Sequence, residues 1–292
     1  MSNFPQNRTV QNKEENDLPV SPMQAIIIVI LSILGILIFG LLIKITIQLV
    51  LGQTDWNSPI FFVELFTALP AALIVRRYRF SLLRAFRLNP VSPSLLGWSF
   101  ILGAAVAVIG DQLDRIMQIW LPMPDTITEG MLAVFRTPNL VDFVLIVFIG
   151  TIGAGVCEEM LFRGFLQKIL EKKFHIYGAI LIPALLFGIL HFNVWAILQI
   201  SILGIVLGLL AWRTNSIYPA ISVHFLNNFI AMIYIRYATP AIDAVYLRNE
   251  LVNPVIVIIA IAVFVFAGLR IWQSPHVFVL NETDKKGKNN GI

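Results

Sequence analysis

The sequence predicts an all-α, polytopic membrane protein, and three observations carry that prediction. The chain is 58% hydrophobic and only 13% charged, with a mean hydropathy of +0.81, whereas soluble domains carry about a quarter charged residues. Its apolar residues form long runs separated by short polar segments. Its single cysteine excludes an internal disulfide and a cysteine-based metal cluster. The net charge of +4 does not indicate nucleic-acid binding, because the basic residues cluster at the predicted helix ends.

The apolar runs predict about eight transmembrane helices, because about 20 apolar residues are needed to cross a bilayer as a helix. They lie at about residues 23–51, 60–75, 95–110 (extending toward 119), 140–170, 177–192, 194–212, 217–237 and 254–272. We therefore expect a membrane domain at residues 23–272. The polar segments 1–22 and 273–292 are expected to be tails, the first of them disordered. The stretch 120–139 holds three prolines and predicts a loop or a short surface helix.

The distribution of basic residues predicts the orientation in the membrane. With eight spans, 16 of the 21 Lys and Arg residues fall on the side of the N-terminus and four on the other side, with Lys44 inside a span. Cytoplasmic loops carry the excess of Lys and Arg. Both termini are therefore expected to be cytoplasmic.

The fourth apolar run contains two adjacent carboxylates and an arginine. Ionisable side chains near the middle of a bilayer cost about 2.5–3.5 kcal/mol each on insertion scales, so their presence indicates a function. Glu159 and Arg163 are four residues apart and share a helix face, which predicts an ion pair. Glu158 points elsewhere and stays available as a general base that activates water. The alternative is a Glu–Glu–Arg group that merely ends the span.

Two further polar pairs follow on later apolar runs. Phe187 and His191 are four residues apart, and so are His224 and Asn228. If the neighbouring helices run antiparallel, His191 lies in the returning helix at about the depth of Glu158. Each pair also has a plainer interpretation. His191 could cap a span, and the polar stripe of His224 and Asn228 could only hold helices together.

Taken together and in this order, the three pairs resemble the CPBP family, which includes the type II CAAX prenyl endopeptidases and bacterial Abi-type proteins. The resemblance covers about residues 95–235. It rests on the motifs Glu158-Glu159-x-x-x-Arg163, Phe187-x-x-x-His191 and His224-x-x-x-Asn228.

The resemblance implies an eight-helix membrane fold around a cytoplasm-facing cavity, and peptide hydrolysis that depends on glutamate. Carried over by position, Glu158 and His191 would hold and activate the water. His224 and Asn228 would stabilise the oxyanion of the tetrahedral intermediate, with Glu159 and Arg163 as a supporting pair.

Metal dependence and catalysis itself stay open at the level of sequence. Glu158, His191 and His224 could bind zinc as three ligands, but we favour a metal-free site without cofactors, because a zinc ligand could not also be the base. A non-catalytic immunity or secretion-assisting protein of the same fold is one alternative. A proton-coupled transporter is another, although the sequence has no convincing internal repeat.

The expected substrate is a peptide or a protein C-terminus in the lipid bilayer. The resemblance leaves open whether that substrate is lipidated, since prenylated CAAX segments are the substrate class of eukaryotic relatives. Short loops and compact termini favour a multi-pass protein of a bacterial plasma membrane. A pheromone, a bacteriocin precursor or a membrane-protein tail would then serve equally well as substrate.

Overall fold

The computed structural model describes residues 18–52 and 57–274, and it is 79% helical with almost no strand. The helices are α1 Pro22–Leu51, α2 Ser58–Phe61, α3 Leu69–Arg77, α4 Leu82–Ala85, α5 Pro93–Trp120, α6 Asp125–Phe135, α7 Leu140–Leu170, α8 Ile176–Ile189, α9 Ile197–Thr214, α10 Tyr218–Tyr237, α11 Pro240–Tyr246 and α12 Pro254–Gln273. A 3₁₀ helix at Phe62–Phe66 joins α2 to α3. Two short antiparallel strands, β1 Leu247–Arg248 and β2 Leu251–Val252, precede α12.

The prediction of an all-α, polytopic membrane protein is confirmed. Within the described ranges, six helices are long and apolar enough to cross a bilayer: α1, α5, α7, α9, α10 and α12. The count of eight is not confirmed, because two predicted spans differ. The run at residues 60–75 is divided among α2, the 3₁₀ helix and α3. The run at 177–192 forms α8, whose 14 residues extend only about 21 Å at 1.5 Å per residue.

The predicted tails lie mostly outside the described residues. Residues 1–17 and 275–292 fall there, so the expected disorder of the first tail stays a prediction. The start of the first span is described, and it is capped. Ser21 Oγ accepts from the backbone N–H of Gln24, whose side chain accepts in return from the N–H of Ser21. This capping box satisfies two free donors of the first turn and sets the start of α1.

Short elements cover the end of the bundle where α5 and α10 finish. Helix α6 lies within residues 120–139, where the sequence predicts a loop or a short surface helix, and none of its residues is buried. The Tyr246 hydroxyl at the end of α11 donates to Asp111 at 2.9 Å, and the Val252 N–H donates to Gln112 at 2.8 Å. Burial and the charge of Asp111 raise the pKa of Tyr246, so its hydroxyl stays a donor. These bonds fasten the hairpin segment to the end of α5.

The apolar interior forms two clusters that hold α7 and α10 in place. One packs Phe86 against Phe162 and Phe165 of α7. The other joins α5, α9, α10 and α12 around residues such as Leu207 and Val223. In the first cluster Gly164 lets two backbones meet, because a Cβ at this position would lie 2.7 Å from the Cα of Phe86.

We expect Gly164→Ala to destabilise the protein by about 1–3 kcal/mol, because the added methyl group would force two backbones apart. Thermal unfolding in detergent measures the loss. The matched control is Gly97→Ala, where a Cβ would meet nothing within 4 Å. Equal melting temperatures for the two variants would contradict the tight contact between Gly164 and Phe86.

Candidate active site

The two carboxylates lie between two π-helical stretches of α7. The stretches are Ile149–Gly153 and Met160–Leu166, and the α-helical segment Ala154–Glu159 separates them. A π-helical turn interrupts the regular hydrogen-bond pattern, and such turns are frequent at functional sites. In the first of these stretches, the Gly150 carbonyl accepts a hydrogen bond from the Asn228 side chain of α10 at 3.1 Å.

Glu159 and Arg163 form a fully buried ion pair, as their spacing predicts. The Arg163 Nη1 atom lies 2.7 Å from Glu159 Oε1, and the two side chains are 1% and 0% exposed. Arg163 also donates to the Gly204 carbonyl of α9 at 3.3 Å. Its guanidinium lies 4.4 Å from the centre of the Phe187 ring. The two charges are thereby paired in the buried interior, while the second carboxylate oxygen of Glu159, Oε2, has no hydrogen-bond partner among the described residues.

His224 joins this pair and connects it to Glu158. Its Nδ1 atom lies 2.9 Å from Glu159 Oε1. A carboxylate can only accept, so Nδ1 carries the proton of this bond. The Nε2 atom then points at Glu158, with Oε2 3.7 Å away. Glu158 is 17% exposed, while His224 is 3% exposed, so Glu158 is the more accessible of the two side chains.

His191 lies outside the helix that was expected to carry it. Helix α8 ends at Ile189, because the chain turns there and Phe192 takes a left-handed φ of 53°. The His191 Nδ1 atom lies 2.6 Å from the Phe187 carbonyl, which can only accept, so Nε2 is left with its lone pair. The Phe187 ring contacts both histidines: its centre lies 4.7 Å from the ring centre of His191 and 5.7 Å from that of His224.

Asn228 is held by two hydrogen bonds one turn beyond His224. Its Nδ2 atom donates to the Gly150 carbonyl at 3.1 Å, and its Oδ1 atom accepts from Asn227 at 3.2 Å. The amide group carries two N–H bonds, so one remains for a ligand. The structure therefore gathers Glu158, Glu159, Arg163 and His224 into one contact network and places His191 and Asn228 beside it.

One acidic residue near the site, Glu64, belongs to none of the three motifs. Glu64 lies on the 3₁₀ helix, and its carboxylate interacts electrostatically with that of Glu158. The neighbouring Leu65 carbonyl accepts from the Cys157 thiol at 3.3 Å, which places this segment against α7. A lone carboxylate in the apolar run at residues 60–75 is the signal that could have indicated it.

The described residues show no preassembled metal site. In the part of the chain that the structure describes, no group of three His, Cys, Asp or Glu side chains is arranged to hold a metal ion. Of the three zinc ligands left open by the sequence, His224 directs Nδ1 to Glu159 and Nε2 to Glu158. His191 bonds through Nδ1 to the Phe187 carbonyl, so its Nε2 atom stays available to a ligand.

We expect Arg163→Met to destabilise the protein by about 3–5 kcal/mol, because Glu159 would be left buried without its counterion. Removing both charges, in Glu159→Gln/Arg163→Met, should recover most of that loss. Thermal unfolding in detergent compares the double variant with the two single variants, Arg163→Met and Glu159→Gln. If the double variant were the less stable by the sum of both single losses, the two residues would not act as a pair.

Comparison with known proteins agrees with the motifs. Residues 140–230 match the family model described as type II CAAX prenyl endopeptidase Rce1-like. No curated protein and no solved structure gave a significant match. The matched residues run from the start of α7 into α10 and contain all three motifs, although they make up less than half of the chain. The match confirms the resemblance to the CAAX prenyl endopeptidases and supports, in general terms, a CAAX-protease-like endopeptidase of the membrane.

Proposed function

We propose that this protein is an intramembrane endopeptidase in which Glu158 activates the water that hydrolyses a peptide bond. The observation that carries the proposal is the difference in burial and hydrogen bonding between two adjacent carboxylates. Glu159 is fully buried and bonded to both Arg163 and His224. Glu158 has no such bond, is partly exposed, and faces His224 Nε2 at 3.7 Å.

In this mechanism Glu158 is the general base. It takes a proton from the water as the water attacks the carbonyl carbon, and it passes that proton to the leaving amine. His191 orients the water through Nε2, whose lone pair is available because Nδ1 bonds to the Phe187 carbonyl.

The donors for the oxyanion come from α10. The remaining N–H of the Asn228 amide is one of them, and its direction is fixed because the other N–H holds the Gly150 carbonyl. His224 is the second donor when both ring nitrogens are protonated, since Glu159 then balances the ring's charge through Nδ1. Donors fixed before the reaction stabilise the developing negative charge without reorganisation.

The proposed role of His224 as a donor to the oxyanion requires both of its ring nitrogens to be protonated. With His224 doubly protonated, the two positive charges of Arg163 and His224 match the negative charges of Glu158 and Glu159. A neutral set of four charges is far less costly to bury than an unpaired one. When Glu158 takes a proton, the set gains one positive charge, and the oxyanion that forms in the same step balances it.

The substrate of this reaction is a peptide or a protein C-terminus that reaches the site in the lipid bilayer. The proposal places the protein in a bacterial plasma membrane with both termini in the cytoplasm, which the excess of Lys and Arg on that side supports. Neither lipidation of the substrate nor a cofactor is needed for the chemistry described.

We expect Glu158→Gln to lower the cleavage rate about 10²–10⁴-fold, because the amide cannot accept the proton of the water. Comparative proteomics of membranes from the native host identifies the peptide that accumulates uncleaved, and its turnover is then followed directly. Glu129→Gln is the matched control, because this carboxylate is exposed on α6. Unchanged membrane peptides in the Glu158 variant would instead favour a non-catalytic partner of the same fold.

Activity on the accumulated peptide should survive treatment with a zinc chelator, since the proposed base and donors are side chains alone. The measurement compares cleavage before and after chelation and dialysis, at matched detergent concentration. A loss on chelation that added zinc restores would show that the site works with a metal.

A further inference from the structure

The segment between α4 and α5 joins α7 to the start of α10. Its residues 86–89, which we call the connector, bond to α7 on one side and to the turn before α10 on the other. Phe86 and Arg87 are only 0% and 4% exposed. A Cβ at Gly164 of α7 would lie within 2.9 Å of three backbone atoms of Phe86, so the connector meets α7 backbone to backbone.

Arg87 bonds to α7 through its guanidinium group. The Nη1 atom donates to the Arg163 carbonyl at 3.4 Å and to Glu171 Oε1 at 3.1 Å, and Nη2 pairs with Glu171 Oε2. A bidentate contact of this kind fixes direction as well as distance. Gln167 donates at 2.9 Å to the same Glu171 oxygen and at 2.9 Å to the Gly208 carbonyl of α9. The guanidinium group is therefore held against the last turns of α7, although its buried Nε atom has no partner among the described residues.

The backbone of the connector bonds to the turn before α10. The Arg87 carbonyl accepts from the Ile217 N–H at 3.1 Å. The Ser216 hydroxyl donates to the Asn89 carbonyl at 2.7 Å, and the Asn89 side chain donates to the Asn215 carbonyl. Three hydrogen bonds thus hold the residues directly before the first turn of α10.

Arg87 differs from the other arginines near this end of the bundle. Arg76 and Arg77 are exposed, as expected of basic residues at the end of a membrane segment. Arg87 is buried and has a left-handed φ of 52°. A residue with a Cβ is held in that conformation only where the surrounding structure fixes it. This one residue bonds to α7 with its side chain and to the start of α10 with its carbonyl.

Both bonded helix ends lie close to the proposed site. Arg163 is one turn beyond Glu159, and His224 is six residues beyond Tyr218, or about 9 Å at 1.5 Å per residue. A shift of either end therefore changes the distances from His224 to the two carboxylates, which are 2.9 Å for Glu159 and 3.7 Å for Glu158. A misplacement of about 1 Å can slow a reaction about 10²-fold.

We infer that Arg87 is a positioning residue of the proposed reaction, which holds α7 against α10 so that His224 stays aligned with Glu158 and Glu159. It acts through the Arg163 carbonyl, Glu171 and its own backbone, and it belongs to none of the three motifs. The inference rests on the proposed function, because the aligned residues are those of the Glu158 site.

The first test measures the alignment and does not depend on activity. The chain has four histidines, so histidine-labelled protein in nanodiscs gives few ring-nitrogen NMR signals, and His224→Gln assigns those of His224. We expect Arg87→Asn to shift the His224 signals, because the bond from Nδ1 to Glu159 changes with the register of the helices. Asn tolerates a left-handed φ, so this substitution removes the guanidinium group without adding backbone strain. Asn89→Leu, which removes the donor to the Asn215 carbonyl, should shift the same signals from the side of α10.

Arg115→Met is the matched control for this test. It breaks the ion pair with Asp111, whose atoms are 2.9 Å apart, in the half of α5 that is farther from the connector. The His224 signals of this variant should equal those of the wild type. Wild-type His224 signals in folded Arg87→Asn would overturn the inference, because Arg87 would then contribute only stability.

The second test follows cleavage of the peptide that accumulates in Glu158→Gln. We expect Arg87→Asn to lower kcat about 10-fold to 100-fold with little change in KM, because misaligned groups stabilise the transition state less while substrate binding is unaffected. Arg87→Lys keeps the charge but lacks the planar fork, so its kcat should lie between those of Arg87→Asn and the wild type. Arg115→Met should keep the wild-type kcat.

The outcomes separate the two proposals. A wild-type kcat in folded Arg87→Asn, or a change in KM alone, would overturn the inference and leave the endopeptidase intact. Arg87→Lys and Asn89→Leu take the place of Arg87→Asn in both tests if that variant does not fold. If Glu158→Gln accumulates no peptide, the proposed function itself fails, and the inference that Arg87 serves its reaction fails with it.

Discussion

The buried pair of Glu159 and Arg163 is the interaction on which the rest of the site depends. Glu159 Oε1 accepts hydrogen bonds from both Arg163 and His224, so one carboxylate joins α7 to α10. The Arg163 guanidinium also donates a hydrogen bond to the Gly204 carbonyl of α9 and lies over the Phe187 ring of α8. Four helices thus meet at one ion pair, and breaking it would leave an unpaired charge in the apolar interior.

Glycine carbonyls make this arrangement possible inside a membrane domain. A Cβ at Gly204 would lie 2.9 Å from the Cα of Ala184, so α8 and α9 are in close contact there. One turn later, the Gly208 carbonyl accepts from Gln167 at 2.9 Å, just as the Gly204 carbonyl accepts from Arg163. Two polar side chains of α7 therefore find partners on the backbone of α9.

The sequence predicts local contacts well and the geometry between helices poorly. Spacing on one helix is enough to predict the bond between Glu159 and Arg163 and most of the six long spans. It could not predict that His224 bonds to Glu159, because that contact depends on how α7 and α10 pack. The position of His191 beyond the end of α8 follows from a left-handed Phe192, which no periodicity indicates. Glu64 lies on the 3₁₀ helix that interrupts the predicted span at residues 60–75, an interruption that the sequence analysis did not predict.

The central claim is that one fixed carboxylate positions His224 against a second, accessible one. A cryo-EM structure in lipid nanodiscs, at a resolution that shows ordered water, tests it most directly. The account predicts His224 Nδ1 bonded to Glu159, Nε2 close to the 3.7 Å from Glu158 found here, and a water between Glu158 and His191. Glu158 turned toward lipid, or His224 released from Glu159, would contradict it.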